Sequence, residues 1–94
     1  YPRDFILHQN YPNPFNPGTR IDYQIFSSGY TTLTIFNMRG ENVRTVFKSI
    51  RSAGSYSSYW NGTDNSGKPL PSGHYFYQLK NNEMVKIKKM ILLK

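Results

Sequence analysis

The residues of this chain whose chemistry could support catalysis are few and dispersed. Its five carboxylates are Asp4, Asp22, Glu41, Asp64 and Glu83. General acid–base work needs titratable groups set around one substrate, and these acids fall on an edge, an outward strand face, two turns and a loop. His8 and His74 stand far apart, and neither belongs to a metal-ligand pattern. No serine sits in a nucleophile-elbow motif. With no cysteine in the chain there is no thiol nucleophile, thiolate zinc site or disulfide framework. The expectation is a non-catalytic protein with no metal and no cofactor.

One loop carries ligand-type oxygens in sequence. Asn61-Gly62-Thr63-Asp64-Asn65-Ser66-Gly67 places them at alternate positions before a glycine, as calcium loops do. It holds a single carboxylate and lacks the late bidentate Glu of an EF-hand, and turn chemistry accounts for the same residues. Asn61 also opens an Asn-x-Thr sequon, relevant only in a glycosylating host. Trp60 could serve as a sugar-stacking platform, but a single Trp in a small β domain fits better as a core plug with its N–H bonded. The run Tyr75-Phe76-Tyr77 must point to both faces of a strand, so at least one ring is outward.

The net charge of +7 raises the question of nucleic acid. Lys86, Lys88, Lys89 and Lys94 crowd the C-terminal end, with no acid after Glu83. No helix is available to enter a groove, and no RNA-binding signature interleaves the basic residues with aromatics. The lysines fit a solvated strand guarded against edge-to-edge aggregation, so no nucleic-acid partner is expected. Their charge can steer the terminus toward an acidic partner surface.

The elements that must position these groups read as strands. Aromatic residues make up 16% of the chain, a bias that suits pleated, half-buried surfaces. Alternation recurs along the sequence and helical periodicity does not. Thr19 to Ile25 sets Ile21, Tyr23 and Ile25 on one face. Tyr30 to Asn37 turns Leu33 and Ile35 inward between threonines, and Asn37-Met38-Arg39-Gly40 makes a tight turn into Glu41 to Phe47. Tyr56, Ser58 and Trp60 share a face, His74 to Lys80 is aromatic-rich, and Met84 to Leu93 closes the chain. Phe5 to His8 adds an edge strand. About seven strands in 94 residues predict one immunoglobulin-like antiparallel β-sandwich spanning 1–94, with 1–8 as linker and edge strand. Apolar runs fall far short of the roughly 20 residues of a membrane helix. The chain opens at Tyr1 without Met and reads as a piece of a longer protein, expected to act as a monomer.

Gln9-Asn10-Tyr11-Pro12-Asn13-Pro14-Phe15-Asn16-Pro17-Gly18-Thr19 stands apart from these strands. Its prolines fix φ, remove backbone donors and push their predecessors to extended geometry. Tyr11 and Phe15 are expected to anchor this stiff segment on the domain surface, with asparagine side chains bonding its unpaired backbone groups.

Several blocks in order resemble a known family. Tyr11-Pro12-Asn13-Pro14-Phe15-Asn16-Pro17 with Thr19-x-Ile21-x-Tyr23 resembles the opening of the type A C-terminal sorting domains of the type IX secretion system. Leu33 to Arg44 is similar to the second block of that family. Ala53-Gly54 leading to Trp60-Asn61-Gly62-Thr63-Asp64-x-x-Gly67 resembles the third, although the family often has Asp where Asn61 stands. Ser72-Gly73-His74-Tyr75-Phe76-Tyr77-x-Leu79 looks like its Gly-x-Tyr block. Lys88-Lys89-Met90-Ile91-Leu92-Leu93-Lys94 resembles its lysine-bearing terminal strand.

The resemblance implies a non-catalytic signal at the end of a larger exported cargo protein. That cargo passes the periplasm of a Gram-negative bacterium to the outer-membrane surface or the medium. The outer-membrane secretion machinery and a sortase are the implied partners, with cleavage near or before Tyr1. Carried over by position, Pro12, Asn13, Pro14, Gly73, Tyr75, Lys89 and the terminal strand through Lys94 form the implied recognition set. A stiff leading segment and an edge-capable last strand would offer shape and backbone groups to such a partner. The long Pro-Asn-Pro-Phe-Asn-Pro form is also common in immunoglobulin-like domains related to the flagellar hook-capping protein. The alternative is a carbohydrate-binding or spacer module of a secreted polysaccharide-degrading enzyme, which requires an exposed row of rings at Trp60 and Tyr75 to Tyr77.

Overall fold

Alternation along Thr19–Ile25 translates residue by residue into structure. In a computed structural model describing residues 5–94, Thr19, Ile21, Tyr23 and Ile25 are buried, and Arg20, Asp22 and Gln24 between them face outward. Asp4 and the start of the expected linker lie outside the described residues. The strands are β1 (Phe5–Leu7), β2 (Thr19–Ile25), β3 (Gly29–Phe36), β4 (Asn42–Arg51), β5 (Gly54–Trp60), β6 (Gly73–Asn81) and β7 (Met84–Leu92).

They form two antiparallel sheets, one of three strands ordered β1-β2-β5 and one of four ordered β4-β3-β6-β7. The expected sandwich is present. The fourth strand pairs with β3 rather than with β5, so it enlarges the sheet that also carries the last strand.

Between the sheets, Ile21, Tyr23 and Ile25 meet Leu33, Ile35, Tyr77, Leu79, Met90 and Leu92 in one hydrophobic core. Full burial of each such side chain contributes about 1.5–3 kcal/mol. Turn chemistry follows the sequence. Asn37 Oδ1 accepts the N–H groups of Arg39 and Glu41, and Gly40 supplies the positive φ of 81° that closes the turn.

Strand boundaries differ from the reading in two instructive places. β4 continues to Arg51 instead of stopping at Phe47, because register shifts beside Leu33 and Ile35 blur its alternation. The guanidinium of Arg51 lies over the Phe47 ring at 3.9 Å and donates to the Tyr23 hydroxyl at 3.0 Å, so a charged residue ends an inward-facing row. β1 ends at Leu7, although the His8 N–H still donates to the Asp22 carbonyl.

Candidate functional site

The implied recognition residues gather at one pole of the sandwich, and the proline-asparagine segment is what closes that pole. Leaving β1, the chain is held by the Tyr77 hydroxyl, which donates to the His8 carbonyl at 2.7 Å and accepts the Asn10 N–H at 2.9 Å. Asn10 is buried, and its Nδ2 donates to the Pro12 carbonyl and to Thr19 Oγ1. Thr19 Oγ1 in turn donates to the same Pro12 carbonyl at 2.9 Å. Proline cannot donate a backbone N–H, so buried side chains bind its carbonyl and fix the segment from beneath. The peptide bonds preceding Pro12, Pro14 and Pro17 are cis.

Phe15 is the anchor, 1% exposed, with its ring centroid 5.6 Å from that of Trp60. Trp60 lies 5.8 Å from Tyr75 in an edge-on arrangement, so three rings form the floor of the pole. Tyr11 corrects the expectation of a second anchor. Its ring is 71% exposed, and only its backbone is attached, through bonds with Arg20 in both directions.

From Gln9 to Phe15 the segment runs beside the free side of β7. Asn13 Oδ1 accepts the Ile91 N–H at 2.9 Å. The Phe15 N–H donates to the Ile91 carbonyl, and the Leu93 N–H donates to the Phe15 carbonyl. Gln9 Nε2 donates to the Lys89 carbonyl at 2.8 Å. The C-terminal half of the last strand is therefore already paired. This corrects the picture of an open edge over the whole strand, because the leading segment occupies that edge itself. Asn10 takes the bonding role expected of the asparagines, on the Pro12 carbonyl, whereas Asn13 bonds the last strand instead.

The remaining residues of the set divide into exposed and structural. Pro12, Asn13, Pro14, Lys89 and Lys94 are exposed, and the Lys94 N–H donates to Ser72 Oγ. Tyr75 is buried, with its hydroxyl on the Pro71 carbonyl at 2.7 Å, the arrangement of a tyrosine corner. Burial raises its phenol pKa. Gly73 lies opposite Leu92 at the start of β6, with φ of 157° and open space where a side chain would stand. Tyr75 shapes the pole from within, and Gly73 lies half-buried at its rim.

Gly62, which the reading placed in a ligand-type loop, is a floor residue here. It has φ of 79°, and a Cβ added there would stand 3.1 Å from the Pro17 carbonyl oxygen. The rest of that loop follows turn chemistry. Asp64 Oδ1 accepts the Ser66 hydroxyl and the N–H groups of Ser66 and Lys68. The Ser66 hydroxyl, and after it the Lys68 N–H, hold the Asp64 carboxyl below its ordinary pKa. Trp60 is the expected core plug, its Nε1–H on the Thr63 carbonyl at 2.9 Å.

Sequence reasoning missed Asn10 and Tyr77 as fasteners of the pole. Only the burial that alternation assigns to Tyr77 could have signalled the second, since a buried phenol needs a partner. The ring row required of a sugar-binding platform is absent at the places named for it, because Trp60, Tyr75 and Tyr77 are buried. Exposed rings occur instead at Tyr11, Tyr30 and Tyr59, with Tyr59 packed over Gly18.

A family profile for the FlgD Ig-like domain matches residues 20–83, well over half of the chain. The chain belongs to the FlgD Ig-like domain family. Solved structures share the fold of this FlgD Ig-like domain. Dimeric latent PorU from Porphyromonas gingivalis is 20% identical with a TM-score of 0.72, the match covering 96% of this chain and 9% of that one. PorZ from Porphyromonas gingivalis, described as an essential bacterial surface component of the type IX secretion system, is 18% identical with a TM-score of 0.62; the match covers 94% of this chain and 11% of PorZ. FlgD from Xanthomonas campestris, described in connection with hook capping in flagellar assembly, is 18% identical with a TM-score of 0.64, covering 94% and 64% of the two chains. The domain thus spans less than two thirds of the length of each of these structures. No curated protein sequence matches the chain.

Proposed function

We infer that this FlgD Ig-like domain is a non-catalytic sorting signal that directs a larger exported cargo through the type IX secretion system to the cell surface. The observation that carries the reading is the bond from the Ile91 N–H to Asn13 Oδ1. It joins the first and last of the blocks that resemble sorting domains into one surface that exists only when the chain is folded. Machinery reading that surface would test folding and identity together. Pro12, Asn13, Pro14, Lys89 and Lys94 are its exposed members, Gly73 lies at its rim, and Tyr75 holds it from beneath. The fold shared with PorZ, a component of that secretion system, supports the reading. The partners are the outer-membrane machinery and a sortase, and the route runs through the periplasm.

The test is a fusion of residues 1–94 to the C-terminus of a periplasmic reporter in a type IX-competent host. Reporter at the surface or in the medium is expected. A folded fusion retained in the periplasm would leave a structural or spacer role, as in the hook-capping relatives. C-terminal truncation is a poor variant for this purpose. Leu92 is fully buried and the Leu93 N–H pairs with Phe15, so removing the last residues damages the sandwich itself. Substitution of exposed residues separates recognition from folding.

A further inference from the structure

The outer face of the four-stranded sheet lies beside the pole and, Lys89 apart, is not used by the reading above. Its outward-facing charged side chains are all basic: Lys48 opposite Thr32, Lys80 opposite Val85 and Lys89 opposite Phe76, whereas Arg44, Arg51, Lys86 and Lys88 turn to the other side. The nearest carboxylates in sequence are Glu41 and Glu83, in the turns at the two ends of the sheet.

Tyr77, Leu79 and Met90 point into the core, so the two-residue period turns Phe76, Gln78, Lys80, Val85, Ile87 and Lys89 outward. Register places Phe76 between Phe36 and Lys89, Gln78 opposite Ile87, and Lys80 opposite Val85. Phe36, Gly40, Phe76, Gln78 and Ile87 line a shallow apolar concavity of about 360 Å³. Ile87 is 56% exposed and Val85 45% exposed.

Among the described residues, the backbone groups of Val85 and Ile87 on the strand edge bordering this face have no partner. Ile91 and Lys89 direct backbone groups away from β6, toward Asn13, Phe15 and Gln9. By the same period Val85 and Ile87 turn theirs to that side.

We propose that this face docks an extended acidic segment of a partner protein. The segment adds a short strand along Val85–Ile87, lays an apolar side chain over Ile87 toward the Phe36–Phe76–Ile87 concavity, and places carboxylates on the same face near Lys80 and Lys89. Backbone pairing supplies affinity that does not depend on sequence, and the concavity and the lysines supply the selection. The three outward lysines, with no carboxylate among them, favour a carboxylate-bearing partner and speed its approach at low salt.

The experiment titrates the isotope-labelled 94-residue chain with a short synthetic peptide, followed by amide shifts and fluorescence anisotropy. In the peptide, glutamate and leucine alternate at every second position, with threonine between them, so that both share one face of the strand. Saturable shifts centred on Phe76 and on Val85–Lys89 are expected, with binding weakened at least tenfold in the double variant Lys80→Glu, Lys89→Glu and strongly reduced by added salt. Both side chains are exposed, so that variant should retain the fold, and unchanged amide shifts at Tyr23 and Leu33 check it. Ile87→Glu should weaken binding without touching the lysines. The proposal is overturned by no binding, by equal binding of the same peptide with lysine in place of glutamate, by shifts confined to other faces, or by selective capture on phosphatidylglycerol vesicles instead. Secretion of the reporter fusion does not enter this readout, so the docking face and the sorting role fail separately.

Discussion

Asn13 Oδ1 accepts the backbone N–H of Ile91 at 2.9 Å across 78 positions of sequence. This bond makes the proline-asparagine segment a lateral cover for the last strand. A buried phenylalanine on one side and a bonded glutamine on the other keep the cover in place. Exposed edges invite unwanted strand pairing, and a stiff, donor-poor segment blocks one without becoming a new edge itself.

Asn13→Ala removes the acceptor and leaves the Ile91 N–H to water. A loss of about 0.5–1.5 kcal/mol is expected, at the low end because the site is exposed. Hydrogen exchange reads it locally: Ile91 should lose protection while Leu93, still bonded to Phe15, keeps most of its own. Unchanged exchange at Ile91 would remove the bond from the account.

Tyr77→Phe deletes the hydroxyl that serves both His8 and Asn10. The buried Asn10 N–H and the part-buried His8 carbonyl lose their partner, at a cost of about 1–3 kcal/mol by denaturant unfolding. The substitution also changes the alkaline limb of stability. Burial pushes the Tyr77 phenol up to about 12, against an ordinary value of 10.0. Between those values the folded domain keeps a proton that the unfolded chain has released, so stability is full below pH 10 and is lost as pH rises toward 12. Tyr23 and Tyr75 are raised by burial too. The variant should flatten the slope without abolishing it.

Gly62→Ala combines a left-handed backbone with a close approach to Pro17, whereas Gly67→Ala has φ of 85° and open space around it. Strain at such a backbone costs about 1–3 kcal/mol. Thermal melts should show Gly62→Ala as the more destabilising, and the reverse order would contradict the packing of the pole against Pro17.

Acid should loosen the 61–70 loop. Hydrogen bonding holds the Asp64 carboxyl below its ordinary value of 3.8. Its contribution is therefore present above that value and is lost as pH falls through the lower folded one. Amide shifts of Ser66 and Lys68 should move together with the Asp64 carboxyl titration. In Asp64→Ala those shifts should no longer follow pH.

Local chemistry made much of this molecule legible. β2 was readable to the residue because one face is wholly buried, and burial of one face forces strict alternation. Trp60 was readable because a large ring in a small sandwich has few other places. β4 was harder, since an edge strand with shifted register shows intermediate burial along most of its length. The pairing of Asn13 with Ile91 left no local trace: asparagine suits any turn, and its partner is a backbone group. Tyr11 misled for a related reason, because a segment can be fastened by its main chain while its ring stays in water.

The account rests on the closed pole being what the secretion machinery reads. Reporter fusions of the unaltered chain and of the variant Pro12→Ala, Asn13→Ala, Pro14→Ala, Lys94→Glu, compared by cell fractionation with folding checked by circular dichroism, test it most directly. The account predicts that the unaltered fusion leaves the cell while the folded variant stays in the periplasm. Equal secretion of the two would contradict it.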